Sequence, residues 1–456
     1  MKVILLLMSH LLPGMLFNSL SYFIFLPVTF LIFHGLNRRY KPAFLLVVSY
    51  IFYFWLHPLS PVILLLTTVT GYVFGIKISS ASNEKIKGRY LFAGIFINVL
   101  ILILFREVFK SVIPSVGVSF FTFQNISYLA DCYLGTAEAE MSISYYALYL
   151  GFFPKLLQGP IERAGNLIPQ FKGDFKCEYE TLRFGAQLFA WGLFKKVVIA
   201  DNLALVTNKV LGDIQGSAPL ALLLLSYLYG IQLYCDFSGY TDMALGSAKF
   251  FGINLTNNFN YPYFATSIQD FWRRWHITLS SWILDYIFKP LQMKWRNYGN
   301  YGLIGSLIIT FLICGLWHGI SWNYILWGLY HGILISISFL TYRKWQKFCK
   351  KDNFNDTLVF VFDILVTFYM VCFGWMIFIT HNLSDFLLLI RLNINTCLNF
   401  SSIKLLKKDE FGITNVELYS IYFFLFFFIT GELVRKKINL KNYFYKQNFI
   451  IRCVCY

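Results

Sequence analysis

Two histidines carry the residue type best suited to chemistry in this chain. His276 closes the run Phe271-Trp272-Arg273-Arg274-Trp275-His276, and His318 lies in Gly315-Leu316-Trp317-His318-Gly319 at the end of an apolar stretch. An imidazole titrates near neutrality, at about pH 6.5 when unperturbed, and burial favours its neutral, proton-accepting form. In apolar surroundings such a ring costs free energy unless it is paired, so both histidines are functional-site candidates. Asp236 and Asp242 add two carboxylates in Tyr234-Cys235-Asp236-Phe237-Ser238-Gly239-Tyr240-Thr241-Asp242, directly after another apolar stretch. The residues alone leave two chemistries open: general-base catalysis at a histidine, or a proton relay through histidines and aspartates in a polytopic transporter. A transporter usually shows paired halves, and the sequence contains no internal repeat.

The elements that must position these groups are membrane helices. With 57% hydrophobic, 20% aromatic and 14% charged residues over 456 positions, the chain has too little polar surface for a soluble protein with one apolar core. Apolar runs of about 18 residues recur along it, and each can cross a hydrocarbon core of about 30 Å as a helix. They do not alternate as barrel strands do. The expected fold class is an all-α polytopic integral membrane protein with roughly ten or eleven spans or half-spans and interfacial helices. A single membrane domain over residues 1–456 is the economical organisation, with the chemistry concentrated in residues 227–332.

The formal charge of +16 is spread as short basic clusters beside apolar runs, among them Arg38-Arg39 and residues 85–89, 343–351 and 435–437. That is the distribution of cytoplasmic loops under the positive-inside rule, and it puts the amino terminus outside. A basic stripe on a nucleic-acid-reading fold is missing, so no nucleic-acid partner is expected. The nine cysteines lack C-x-x-C spacing and mostly sit in apolar runs, which implies neither disulfides nor a metal site.

Locally, Ser119-Phe120-Phe121-Thr122-Phe123-Gln124 mixes small, hydroxyl and amide residues with aromatics and suits packing inside a bundle. The polar stretch from Tyr234 to Asp242 suggests a broken helix whose freed backbone groups are satisfied by protein. Ser267-Ile268-Gln269-Asp270 fits a helix start. Phe271, Trp275, Leu279, Trp282 and Tyr286 then follow helical spacing, predicting one amphipathic interfacial helix with His276 on its apolar stripe. Asp270 and Arg274 are placed to pair, and Arg273 is left to meet a headgroup or an anionic donor. Residues 392–418 read as a mostly polar segment before a last apolar run at 419–429. His331 reads as structural, and His10, His34, His57 and His381 as ordinary residues near span ends.

These stretches in order, together with Phe152-Phe153-Pro154, Gly159-Pro160, Gly192-Leu193-Phe194-Lys195-Lys196, Asp201-Asn202, Trp327-Gly328, His331-Gly332 and Cys372-Phe373-Gly374-Trp375, resemble the membrane-bound O-acyltransferase family. The resemblance is greatest to its bacterial branch of alginate and peptidoglycan O-acetyltransferase membrane subunits, sister to the D-alanyl transferases of teichoic acids. It implies a helical membrane fold in which a funnel meets a tunnel, with His318 at the junction. His318 is the expected base for the acceptor hydroxyl, and His276 the group that orients the acceptor or donates a hydrogen bond to the carbonyl oxygen. Arg273, Arg274, Asp236 and Trp317 are the further substrate- or donor-binding candidates.

The resemblance also implies an acyl thioester donor, acetyl-CoA or an acyl carrier, as substrate with no bound cofactor. The expected setting is the bacterial inner membrane, with a periplasmic hydrolase-like acetyltransferase or polysaccharide machinery as partner. D-alanyl transfer from a carrier protein is the alternative reaction. The chain departs from the acetylating pattern at Leu284-Asp285-Tyr286 and at Lys289-Pro290-Leu291-Gln292. Residues 1–14 are expected to be an upstream extension, and a closing span is expected beyond residue 456.

Overall fold

The computed structural model describes residues 15–109, 116–176, 178–351 and 354–398, with Phe426 and Thr430. Every regular element among them is helical. Among the described residues, six helices are long and apolar enough to cross a membrane: Ser60–Ser80, Glu84–Val108, Pro219–Lys249, Arg296–His318, Trp322–Lys351 and Asp356–Ile379. The polytopic all-α expectation therefore holds. The expected extension at 1–14 and the run at 419–429 lie outside the described residues, apart from Phe426, as does the basic cluster at 435–437.

The chain folds as two compact units: Met1–Leu193 with Gly239–Asn257, and Phe194–Ser238 with Asn258–Tyr456. In the first, α1 (Leu20–Gly35), α2 (Lys41–Leu56), α3 (Ser60–Ser80), α4 (Glu84–Ile103) and α5 (Val118–Leu134) follow one another. Helix α5 carries the Ser119 to Gln124 motif and is buried along most of its length. Its Asn125 amide donates to the Thr67 carbonyl at 2.7 Å and to Asn98 Oδ1 at 2.8 Å, and its Oδ1 accepts from Tyr146 at 2.6 Å. An amide in that position must find protein partners, because lipid supplies none. The expectation of a bundle-interior helix is thus met.

Short helices α6 (Ile143–Gly151), α7 (Ala164–Lys172) and α8 (Tyr179–Leu193) complete this unit with residues 239–257. Between α6 and α7, Lys155 is fully buried and donates to the Leu150 carbonyl at 3.1 Å and to Gln124 Oε1. Burial pushes its ammonium down to about 7, against the opposing pull of Glu162. Two motifs far apart in sequence, around Gln124 and around Lys155, are thereby one polar core.

In the second unit a π-helical segment, Phe194–Ala200, leads into α9 (Asp201–Gly212) and α10 (Pro219–Lys249), whose residues from Gly239 onward belong to the first unit. Helix α10 is continuous, which corrects the expected break at Tyr234 to Asp242. No break is needed because lysines satisfy its polar side chains: Lys195 donates to Ser238 at 2.8 Å, and Lys196 bridges Asp236 at 2.6 Å and Asp201 at 2.7 Å. Its glycines serve close approach. Within the first unit, a Cβ on Gly192 would stand 2.5 Å from the Gly239 carbonyl, and one on Gly246 would stand 2.6 Å from that of Gly185.

Helices α11 (Ile268–Arg274), α12 (Ile277–Ile283) and α13 (Lys289–Lys294) are short, and α14 (Gly299–His318) and α15 (Trp322–Lys351) form an antiparallel pair. Their backbones touch: a Cβ on Gly315 would lie 2.2 Å from the Tyr324 carbonyl oxygen, and one on Gly328 2.4 Å from that of Phe311. Gly315 and Gly328 are therefore packing residues, as small residues are wherever helices meet closely in a membrane. Helix α16 (Asp356–Ile379) and α17 (Leu383–Leu398) follow. Helix α17 replaces the polar segment expected from residue 392 as far as residue 398, since Leu389, Thr396 and their neighbours bury one face of it.

Candidate active site

The run around His276 begins as its residue types dictate. Ser267 caps α11 by accepting from the Asp270 amide at 3.2 Å, and Asp270 pairs with Arg274 Nε at 2.9 Å. The single amphipathic helix predicted from spacing is not formed. Trp275 is extended, and His276 takes a left-handed backbone with φ of 43° before α12 starts. A side chain other than glycine pays a strain energy there and stays only where its surroundings hold it.

What holds it is a segment 18 residues upstream. The Asn258 carbonyl accepts from the Ile277 amide at 2.9 Å, and the Asn260 amide donates to the Arg274 carbonyl at 2.9 Å. The Asn258 side chain is buried, with Oδ1 2.8 Å from Thr278 Oγ1 and 3.1 Å from both the Thr278 amide and His276 Nδ1. The imidazole of His276 is buried and stands edge-on to Phe237, 4.7 Å between centroids. Burial, and secondarily the charge that His318 would carry, push its pKa down to about 3. It is neutral at physiological pH.

His318 is the last residue of α14 and is half-buried. Its ring is held by Trp317 at 4.5 Å, Phe378 at 4.9 Å, Trp327 at 5.3 Å and Tyr324 at 6.1 Å. The next residue, Gly319, leaves room for Tyr324, whose ring a Cβ there would meet at 2.7 Å. Tyr324 and Phe378 also line a pocket of about 570 Å³, together with Asn208, Tyr229, Ser321 and His381. His318 therefore packs on two rings that line a concave site of the size that small-molecule ligands occupy. Helix periodicity could not reveal this wall, because its residues come from four separate parts of the chain.

Of the other candidates, Trp317 packs directly on His318. Asp236 is ion-paired with Lys196, and Arg274 with Asp270. Arg273 is exposed and makes no ion pair among the described residues. His331 is fully buried in a cage of Trp272, Trp327 and Tyr330 at 4.8 to 5.3 Å, and neither ring nitrogen has a hydrogen-bond partner among the described residues. His381, read from sequence as an ordinary interface residue, lies on the pocket wall.

Two aromatic-packed histidines, one of them against rings that line a pocket, thus sit in an all-helical chain with helices of membrane-crossing length. The chain belongs to the membrane-bound O-acyltransferase family, whose model matches residues 43–379. It is 34% identical to a peptidoglycan O-acetyltransferase of Helicobacter pylori, over 83% of this chain and 79% of that protein. It is 32% identical to a probable alginate O-acetylase AlgI of Pseudomonas syringae, over 81% and 73%. It is also 29% identical to a teichoic acid D-alanyltransferase of Bacillus subtilis, over 79% and 97%. The protein is an O-acyltransferase of the membrane.

Proposed function

We propose that this enzyme moves an acyl group, most simply acetyl, from a cytoplasmic thioester across the membrane to hydroxyls of an extracytoplasmic cell-wall polysaccharide. The observation that carries the reading is His318 packed by Tyr324 and Phe378 at the edge of the pocket those two rings line. His318 takes the proton of the acceptor hydroxyl as its oxygen attacks the thioester carbonyl. The tetrahedral intermediate then collapses, the C–S bond breaks, and the imidazolium returns the proton to the leaving thiolate. One ester and one thiol result, and the base is regenerated. His276 orients the acceptor, and Trp317 sets the face of the His318 ring.

The charge pattern supports this direction of transfer. Lys294 and Arg296 precede α14, and α15 ends in Lys350 and Lys351, so basic residues gather at the ends of this pair remote from His318. Under the positive-inside rule those ends are the cytoplasmic ones in this reading, which favours an extracytoplasmic side for His318 and the pocket beside it. Acetylation is favoured by the O-acetylating relatives at 34% and 32% identity, and delivery through a periplasmic acetyltransferase partner is part of the proposal. D-alanyl transfer is the second reading, favoured by the 97% coverage of the teichoic acid enzyme.

Mass spectrometry of cell-wall and secreted polysaccharide, with and without the gene, tests both. Loss of O-acetyl esters supports acetylation, and loss of D-alanine esters moves the assignment to the second reading. If neither O-acetyl nor D-alanine ester content changes, both readings are refuted.

A further inference from the structure

The Asn258 side chain touches both ends of the left-handed turn at His276, and its chemistry fixes more than the backbone. The Thr278 amide can only donate, so the Asn258 atom 3.1 Å from it must be the carbonyl oxygen. That oxygen carries no hydrogen. His276 Nδ1, 3.1 Å from the same oxygen, must therefore be the donor of the pair, which puts the ring proton on Nδ1. In a neutral imidazole the other nitrogen, Nε2, then bears the lone pair.

We propose that Asn258 is a positioning residue that locks His276 as the Nδ1–H tautomer, so that Nε2 carries the lone pair and can accept a hydrogen bond but not donate one. Of the two roles open to His276, donating to a carbonyl oxygen and orienting the acceptor, only the second is compatible with an unprotonated Nε2. The inference rests on the proposed function for the identity of the acceptor, but the tautomer itself does not.

Three features of the turn make Asn258 suited to this task. It is buried, so water does not compete for Oδ1. Its oxygen is shared among His276 Nδ1, the Thr278 amide and Thr278 Oγ1, so it cannot swing away without leaving several groups unpaired. Its own backbone carbonyl is tied to the Ile277 amide, which couples the side chain's position to the turn it supports. Burial holds the ring neutral, the condition under which tautomer identity matters.

The test is nitrogen-15 NMR of histidine-labelled full-length protein in lipid nanodiscs, with the His276 signals assigned by difference against His276→Gln. The ring shifts separate a protonated nitrogen from an unprotonated one. The expected result is a protonated Nδ1 and an unprotonated Nε2 in the wild type and a lost preference in Asn258→Ala. Asn258→Asp, which keeps the accepting oxygen, retains the protonated Nδ1. Ester formation per protein should fall roughly 10- to 100-fold in Asn258→Ala, the usual cost of removing a group that orients a functional histidine, and recover in part in Asn258→Asp. An unprotonated Nδ1 in the wild type, or an Asn258→Ala variant with unchanged shifts and unchanged ester formation, overturns the proposal. Full ester formation by His276→Gln would instead remove His276 from the proposed function, leaving the tautomer assignment to stand or fall on the shifts.

Discussion

Replacing His318 by alanine separates chemistry from packing, because the structure sets a scale for each. His318 ends α14, so alanine there breaks no helix, and alanine is the residue most favourable to one. Beyond its chain neighbour, the ring packs on Phe378, Trp327 and Tyr324, and alanine removes all three aromatic pairings. At about 0.5 kcal/mol each, the low end suited to a half-buried ring, they cost about 1.5 kcal/mol of stability. A loss of that size lowers the amount of protein several-fold at most. Removing a general base costs about 100- to 10,000-fold in rate, or about 2.7 to 5.5 kcal/mol of barrier. Ester formation per folded protein should therefore fall by two to four decades while protein yield falls far less. The assay is polymer ester content, normalised to the variant recovered in detergent-solubilised membranes. His318→Phe serves as the control that keeps the aromatic packing and lacks the base, and it should be as inactive as alanine. Near-normal esters in a well-expressed His318→Ala strain, or an active His318→Phe, would refute the role of His318 and return a transporter relay to consideration.

Gly328→Ala should destabilise the α14 and α15 pair by about 1 to 3 kcal/mol, because its Cβ would meet the Phe311 carbonyl at 2.4 Å and backbone cannot yield as a side chain does. Gly88→Ala meets nothing within 4 Å and should be neutral or slightly stabilising, so equal melting of the two in detergent contradicts the close packing. Lys196→Met should lower melting temperature by leaving Asp201 and Asp236 without their shared cation. Adding Asp236→Asn should recover part of that loss, with a coupling of about 0.5 to 1 kcal/mol for these half-exposed groups, and strict additivity would show that the bridge contributes nothing. His276, with a folded pKa pushed down to about 3, takes no proton between pH 5 and 8. Its unfolded form does so below about 6.5, so its burial weakens folding as pH falls from about 6.5 toward 3. In His276→Asn the residual activity should keep the midpoint of its acid limb, measured by ester formation in membranes between pH 5 and 8. A shifted midpoint would mean that His276 titrates in that range.

Composition and the length of apolar runs were enough to determine an all-α membrane protein, because a bilayer leaves the backbone no partner but itself. The sequence also marked His276 and His318, since titratable rings inside apolar motifs stand out against such a chain. It identified Ser267 as a helix start and the pairing of Asp270 with Arg274, because caps and i,i+4 pairs are local.

What it did not determine depends on partners distant in sequence. Helix α10 runs unbroken through Asp236 and Ser238 because Lys195 and Lys196, about 40 residues earlier, satisfy those side chains. The helix predicted through His276 breaks because Asn258 and Asn260 hold a left-handed turn that spacing alone would never favour. The pocket beside His318 is assembled from Asn208, Tyr229, Ser321, Tyr324, Phe378 and His381. Periodicity reports which face of a helix is apolar. Only the tertiary structure decides which of those faces meet, and so where a buried ring finds its hydrogen-bond partner.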